Sequence, residues 1–170
     1  MDFRPNQELL LDIDESKYWR VYSLTKRFEE NPSYPEDVRA LTLNKAKPQF
    51  GLKGTFCLFG SAEWWDSINH RRMPLRFVAG VIVGVSEAGQ DSLTGVNNTM
   101  VLKDAAGTEE QFGIYVNNRK DAKLFRVGCT VRMVFALDEL KRPRPDVYSP
   151  TALEVAVSRM ENSGEAGSSA

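Results

Sequence analysis

Residues 75–89 read LRFVAGVIVGVSEAG, and the fold turns on this stretch. Phe77, Ala79, Val81, Val83 and Val85 alternate with Val78, Gly80, Ile82 and Gly84, the two-residue period of an extended strand. Both faces are apolar or small, which predicts a central strand. The glycines suit a coil or bulge that lets a sheet curve.

Outward from this strand the pattern repeats toward the C-terminus. GQDSLTGVNN (89–98) is a loop by composition. In TMVLKDAAGTEEQFGIYV (99–116), one strand ends at Lys103-Asp104, Ala105-Ala106-Gly107 turns, and a second strand sets Phe112, Ile114 and Val116 on one face, so a hairpin is expected. NNRKDAKLFRVG (117–128) reads as the one helix-like insertion of this half. CTVRMVFALDEL (129–140) alternates strictly through Cys129, Val131, Met133, Phe135 and Leu137. TALEVAVSR (151–159) does the same after the proline-broken KRPRPDVYSP. The tail MENSGEAGSSA (160–170) is small and polar, and disorder is expected there.

Toward the N-terminus the reading is helical. In DESKYWRVYSLTKRFEEN (14–31), Tyr18, Val21, Tyr22 and Phe28 recur near helical spacing with charges between them. Ser33 caps and Pro35 opens a second helix in SYPEDVRAL, with Glu36 placed as in a capping box. NKAKPQFG (44–51) is a connector. LKGTFCLFG (52–60) is expected to be extended, with Leu52, Phe56 and Leu58 on one side.

Three strands, a short helix and two more strands form the succession of a five-stranded Greek-key barrel with a helix before its fourth strand. From about residue 75 to 159 the chain resembles an OB-fold in this order of elements, through the glycine-rich first strand, the hairpin, the helix in NRKDAKLF and the VGCTVRMVF run. No residue motif accompanies the likeness. The expected class is mainly β, α+β overall, with a short SH3-like barrel or an open α+β sheet as the alternatives to the OB-like barrel. The expected organisation is an N-terminal helical extension over 1–49, an OB-like barrel domain over 50–159 and a tail over 160–170.

Composition bounds function. The 170 residues, 42% of them hydrophobic, suffice for the core of one ordinary domain. The net charge of −1 gives no global field toward phosphate or membrane. Neither a signal-peptide run at the N-terminus nor eighteen consecutive apolar residues occur, so a cytoplasmic protein without a membrane partner is expected. Cys57 and Cys129 sit in apolar runs and read as small buried hydrophobes. With two cysteines and one histidine in the whole chain, no zinc site is expected. GxSxG and phosphate-loop motifs are absent, and the glycines of 80–84 have no following helix to bind a dinucleotide. The acidic pairs Glu29-Glu30, Glu109-Glu110 and Asp138-Glu139 read as surface or turn residues. A binding module without cofactor, rather than an enzyme, is therefore expected.

Two groups of residues are candidates for binding. If Phe112, Ile114 and Val116 face inward, then Tyr115 faces out, with Lys103 and Arg132 on the same outer wall. The OB resemblance implies that this wall is the ligand face, where a ring stacks on bases and cations meet phosphates. The second group lies in LFGSAEWWDSINHRRMPLRF (58–77), where Trp64 and Trp65 are followed by His70, Arg71, Arg72 and Arg76. Here Ser61 caps a short helix with Trp65 and Ile68 inside. Adjacent tryptophans cannot both face one core, so one is expected to be partly exposed or to pack against another element. The leading expectation is contact with single-stranded nucleic acid through these aromatic and basic residues. The rival is a protein-interaction module, an inhibitor, immunity or accessory protein, docking through the Trp64–Trp65 surface. The balance of eleven Lys/Arg against ten Asp/Glu over residues 75–160 favours the rival, because phosphate binders carry a basic excess.

Overall fold

The computed structural model describes residues 9–89, 95–142 and 147–160. The tail expectation for 161–170, parts of the two loops (90–94 and 143–146) and residues 1–8 lie outside them. Ten elements follow in order: β1 (Tyr18–Ser23), α1 (Leu24–Glu30), α2 (Ser33–Leu43), α3 (Ala62–Asn69), β2 (Leu75–Ser86), β3 (Thr99–Lys103), β4 (Glu109–Gly113), a 3-10 turn (Arg119–Leu124), β5 (Thr130–Glu139) and β6 (Tyr148–Ser158). The strands form one antiparallel sheet in the order β1-β6-β5-β2-β3-β4. The protein is mainly β, α+β overall, as its alternating segments dictate.

Two features depart from the expected barrel. The sheet has six strands, and its end strands β1 and β4 are not paired with each other, so it is not closed. The chain beyond β4 instead meets the free edge of β1 through one residue. Asn117 donates its backbone N–H to Val21 O at 2.9 Å, its Oδ1 accepts from Ser23 N at 2.8 Å and its Nδ2 donates to Ser23 O at 3.1 Å. A side-chain amide thus satisfies edge groups that a neighbouring strand would otherwise fill.

The sixth strand comes from the segment read as helix. YWRVYS is all aromatic, β-branched or short apart from Arg20, and pairing with β6 outweighs its helical spacing. The helix starts only at Leu24, where Ser23 Oγ accepts Lys26 N at 3.2 Å. α2 matches its prediction but begins with Ser33 inside it, and no side chain caps it. The 52–60 segment is a chain of turns with a single bridge, Leu52 to Leu140, not a strand. Gly60 has φ +74, and a Cβ there would lie 2.8 Å from the Phe28 ring. Within these turns Cys57 has φ 71 and is exposed, contrary to expectation, whereas Cys129 is buried; neither is in a disulfide.

The glycines of β2 are structural. A Cβ at Gly80 would stand 3.0 Å from Lys103 O, so glycine permits β3 to approach. A register shift falls between Ile82 and Gly84 and leaves Val83 as the bulged residue. The core runs through Ile82, Met100, Val131, Met133, Val155 and Val157 with Trp64, Ile68 and Met73 against them. β6 is buried on both faces from Ala152 to Val157 because a strap from the N-terminus crosses its outer side. Glu154, itself buried, accepts the N–H groups of Leu10 at 2.7 Å and Leu11 at 3.1 Å and pairs with Arg20 at 3.2 Å. Leu11 is only 3% exposed in consequence.

Candidate functional site

α3 positions the paired tryptophans, with Ser61 Oγ accepting Trp64 N as the cap. The 100° between consecutive helical residues sends the two rings to different neighbours. Trp64 points to the sheet, where its Nε1 donates to Asp138 Oδ2 at 2.9 Å. Burial raises the Asp138 carboxyl above the ordinary range, against the opposing pull of the Trp64 and Glu139 hydrogen bonds. Trp65 meets Phe28 of α1 at 6.2 Å, and Phe59 stands edge-on to Trp64 at 5.0 Å. Trp64 is 0% and Trp65 3% exposed. A Trp64–Trp65 docking surface is therefore not formed; these rings join the helices to the sheet.

The basic residues that follow are engaged locally. His70 Nδ1 is 3.0 Å from Asp66 O and 3.0 Å from Asp66 Oδ1, and Arg72 pairs with Asp66. Arg71, in the left-handed region at φ 58, donates to Ile68 O at 2.9 Å, closing the end of α3. Arg76 forms a two-pronged pair with Glu110, its Nη1 at 3.0 Å, and lies 5.5 Å over the Phe112 ring. Asp66 and Glu110 thus offset the charges of Arg72 and Arg76.

Of the outer-wall residues, Lys103 and Arg132 stand where alternation places them, opposite Val81 and Ala79 of β2. Lys103 is exposed, and Arg132 donates to Asp12 O of the strap at 3.0 Å. Tyr115 does not join them. β4 ends at Gly113, the alternation ends with it, and the ring packs 5.7 Å from Tyr22 and 6.1 Å from Phe135. Burial raises the phenol pKa of both Tyr22 and Tyr115. The stacking platform expected for bases is thus turned into the protein.

That outer wall instead carries an apolar stripe. Phe77 (54% exposed), Ala79, Val81 (42%) and Val83 (40%) follow one another along β2 with no covering element among the described residues. Gly128 N donates to Ile82 O at 2.9 Å, and Val127, the residue before it, is exposed as well. Among the described residues the strap bonds to Glu154 of β6 and Arg132 of β5, not to β2. The central place of β2, between β5 and β3, is the one its alternation predicts; apolar residues on both faces did not reveal that the outer one would stay exposed. The helix-like insertion of 117–128 is the 3-10 turn, but its cations were not singled out: Arg119, Lys120 and Lys123 within it and Arg126 just after it accompany one acid, Asp121. Among the described residues no ion pair engages any of these four, and no group of three His, Cys, Asp or Glu is disposed to hold a metal.

An open sheet with a bare apolar stripe and local cations is a surface that a protein partner fits. The chain matches the family model described as Immunity protein RhsI2 over residues 18–158, from the first residue of β1 to the last of β6, and belongs to that family. Its class is therefore that of inhibitor-type binding proteins, not enzymes, and its partner is a protein. This overturns the expectation of an OB-fold module binding DNA or other nucleic acid, in accord with the inward Tyr115 and the paired arginines. No curated protein matches the chain.

Proposed function

We propose that this chain neutralises a toxin polypeptide of the Rhs type by forming a stoichiometric complex with it, docking through the outer face of β2. The observation that carries the reading is the family match, which spans every strand of the sheet. Phe77, Ala79, Val81 and Val83 supply the apolar centre that protein interfaces need, and Lys103 and Arg132 supply part of a polar rim. An aromatic ring among small apolar side chains on a hydrogen-bonded strand is a preorganised anchor, with little ordering entropy lost on binding.

The test is co-expression with the toxic domain of the Rhs protein from the same organism. Cells making the toxin alone stop growing, cells making both grow, and the two chains co-elute in equal amounts on size exclusion. Growth arrest despite soluble chain, with no complex, rejects the reading.

A further inference from the structure

Beside the apolar stripe, the 3-10 turn and residues 95–97 enclose a groove of about 560 Å³. Its floor is apolar, with Val85, Ala122 and Phe125, the last two buried. Its rim is cationic: Arg119, Lys120, Lys123 and Arg126 all line it and all are exposed. In a chain of net charge −1, this is a local concentration of positive charge on an eight-residue stretch with one acid. The turn that carries it is held at both ends. Asn118 Oδ1 caps it by accepting Lys120 N at 3.1 Å, and Arg126 Nε donates to Lys123 O at 3.2 Å.

We infer that this groove receives an acidic segment of the toxin, so that the toxin face is apolar at its centre and carboxylate-rich at one side. The inference rests on the proposed toxin binding and adds where and with what chemistry contact is made. Four like charges close together raise one another's free energy, and opposed carboxylates relieve that repulsion while steering association. The groove adjoins the strand that carries the stripe, since Val85 of β2 lines it together with Val127, whose neighbour Gly128 donates to Ile82 O. Carboxylates fit it better than nucleotides do: its one aromatic ring, Phe125, is 2% exposed and offers no face for a base.

The experiment is calorimetric titration of the full chain with the purified Rhs toxic domain, at low and at moderate salt. The variants are Lys123→Glu with Arg126→Glu, and Lys45→Glu, an exposed lysine of the α2 connector, as the control. Wild type is expected to bind more weakly at higher salt, the double reversal to lose about tenfold or more in affinity at low salt, and the control to bind as wild type does. Circular dichroism establishes that the double variant is folded. Carbodiimide crosslinking of the wild-type complex gives an answer that depends on no variant: Lys120 or Lys123 should join an Asp or Glu of the toxin. Unchanged affinity of a folded double variant, or crosslinks from neither lysine, overturns the groove assignment while leaving toxin binding in place. No binding by wild type at either salt removes the proposed function itself, and the groove assignment falls with it.

Discussion

Two segments of this chain are dense in cations, His70–Arg76 and Arg119–Arg126, and the fold treats them oppositely. In the first, Asp66 lies one turn back on α3 and Glu110 reaches across from β4, so Arg72 and Arg76 are paired and Arg71 closes the helix. In the second, the 3-10 turn and the residues just after it present four exposed cations that no ion pair engages among the described residues. The difference teaches that charge density along a sequence does not measure charge available to a partner. Availability is set by which acids the tertiary structure brings near, and an exposed charge already paired contributes little to a new complex.

The same contrast separates the apolar residues of the two regions. Trp64 and Trp65 are the larger rings and the more typical interface anchors, yet they are consumed by the core. Phe77, Val81 and Val83 are more modest and remain bare. The largest expected effect therefore comes from the side that does not bind. Trp64→Ala should cost about 3–5 kcal/mol of stability in denaturant titration, with Asp138 Oδ2 left without its donor. The fraction that stays folded should still bind toxin normally. A Trp64→Ala protein that melts like wild type but loses toxin would break the comparison.

Next comes the stripe. Phe77→Ser should weaken toxin binding by about 2 kcal/mol, the scale of an interface hot spot, while its thermal midpoint changes little because the ring is already half in water. Equal affinity in calorimetry would move the docking face off β2.

Asp138 gives a smaller, pH-dependent effect. Burial raises its pKa in the folded state, so the folded protein holds this proton more tightly than the unfolded chain does. Its contribution to stability is thus greatest in acid and is lost as pH rises from the ordinary carboxylate value through the raised one. Thermal melts across the acid range should show wild type gaining on Asp138→Asn as pH falls, and parallel curves would show that the carboxyl is not perturbed. The smallest effect is expected from Arg72→Ala. An exposed ion pair on Asp66 should change neither midpoint nor toxin affinity measurably, and a clear loss of affinity would mean that the paired cluster, too, belongs to the interface.

Much of the architecture was legible from periodicity. Strict alternation located β2, β5 and β6, and Asp104 with Gly107 marked the β3–β4 hairpin, where Asp104 Oδ1 accepts Ala106 N and Thr108 N, each at 2.9 Å. Helix α3 and its Ser61 cap were equally plain. Less legible was β1, because YWRVYS satisfies a helical spacing and a strand composition together, and only the free edge of β6 chooses between them. Of the residues picked for binding, Lys103 and Arg132 stand on the outer wall. The stripe and the 3-10 cations went unread.

By itself, then, the amino-acid sequence determined where β2, the β3–β4 hairpin, β5, β6 and the helices α2 and α3 lie, and that the chain is an α+β protein without an evident catalytic constellation. Local periods and caps are short-range properties that each segment carries with it. Only the tertiary structure decided that the sheet stays open, that Trp64 and Trp65 are sealed while Phe77 and Val81 are bare, and which arginines are paired. Those outcomes depend on which distant segments arrive as neighbours, Asp138 at Trp64, Glu110 at Arg76 and the Leu9–Asp12 strap at Glu154, and no single stretch of chain encodes its own neighbours.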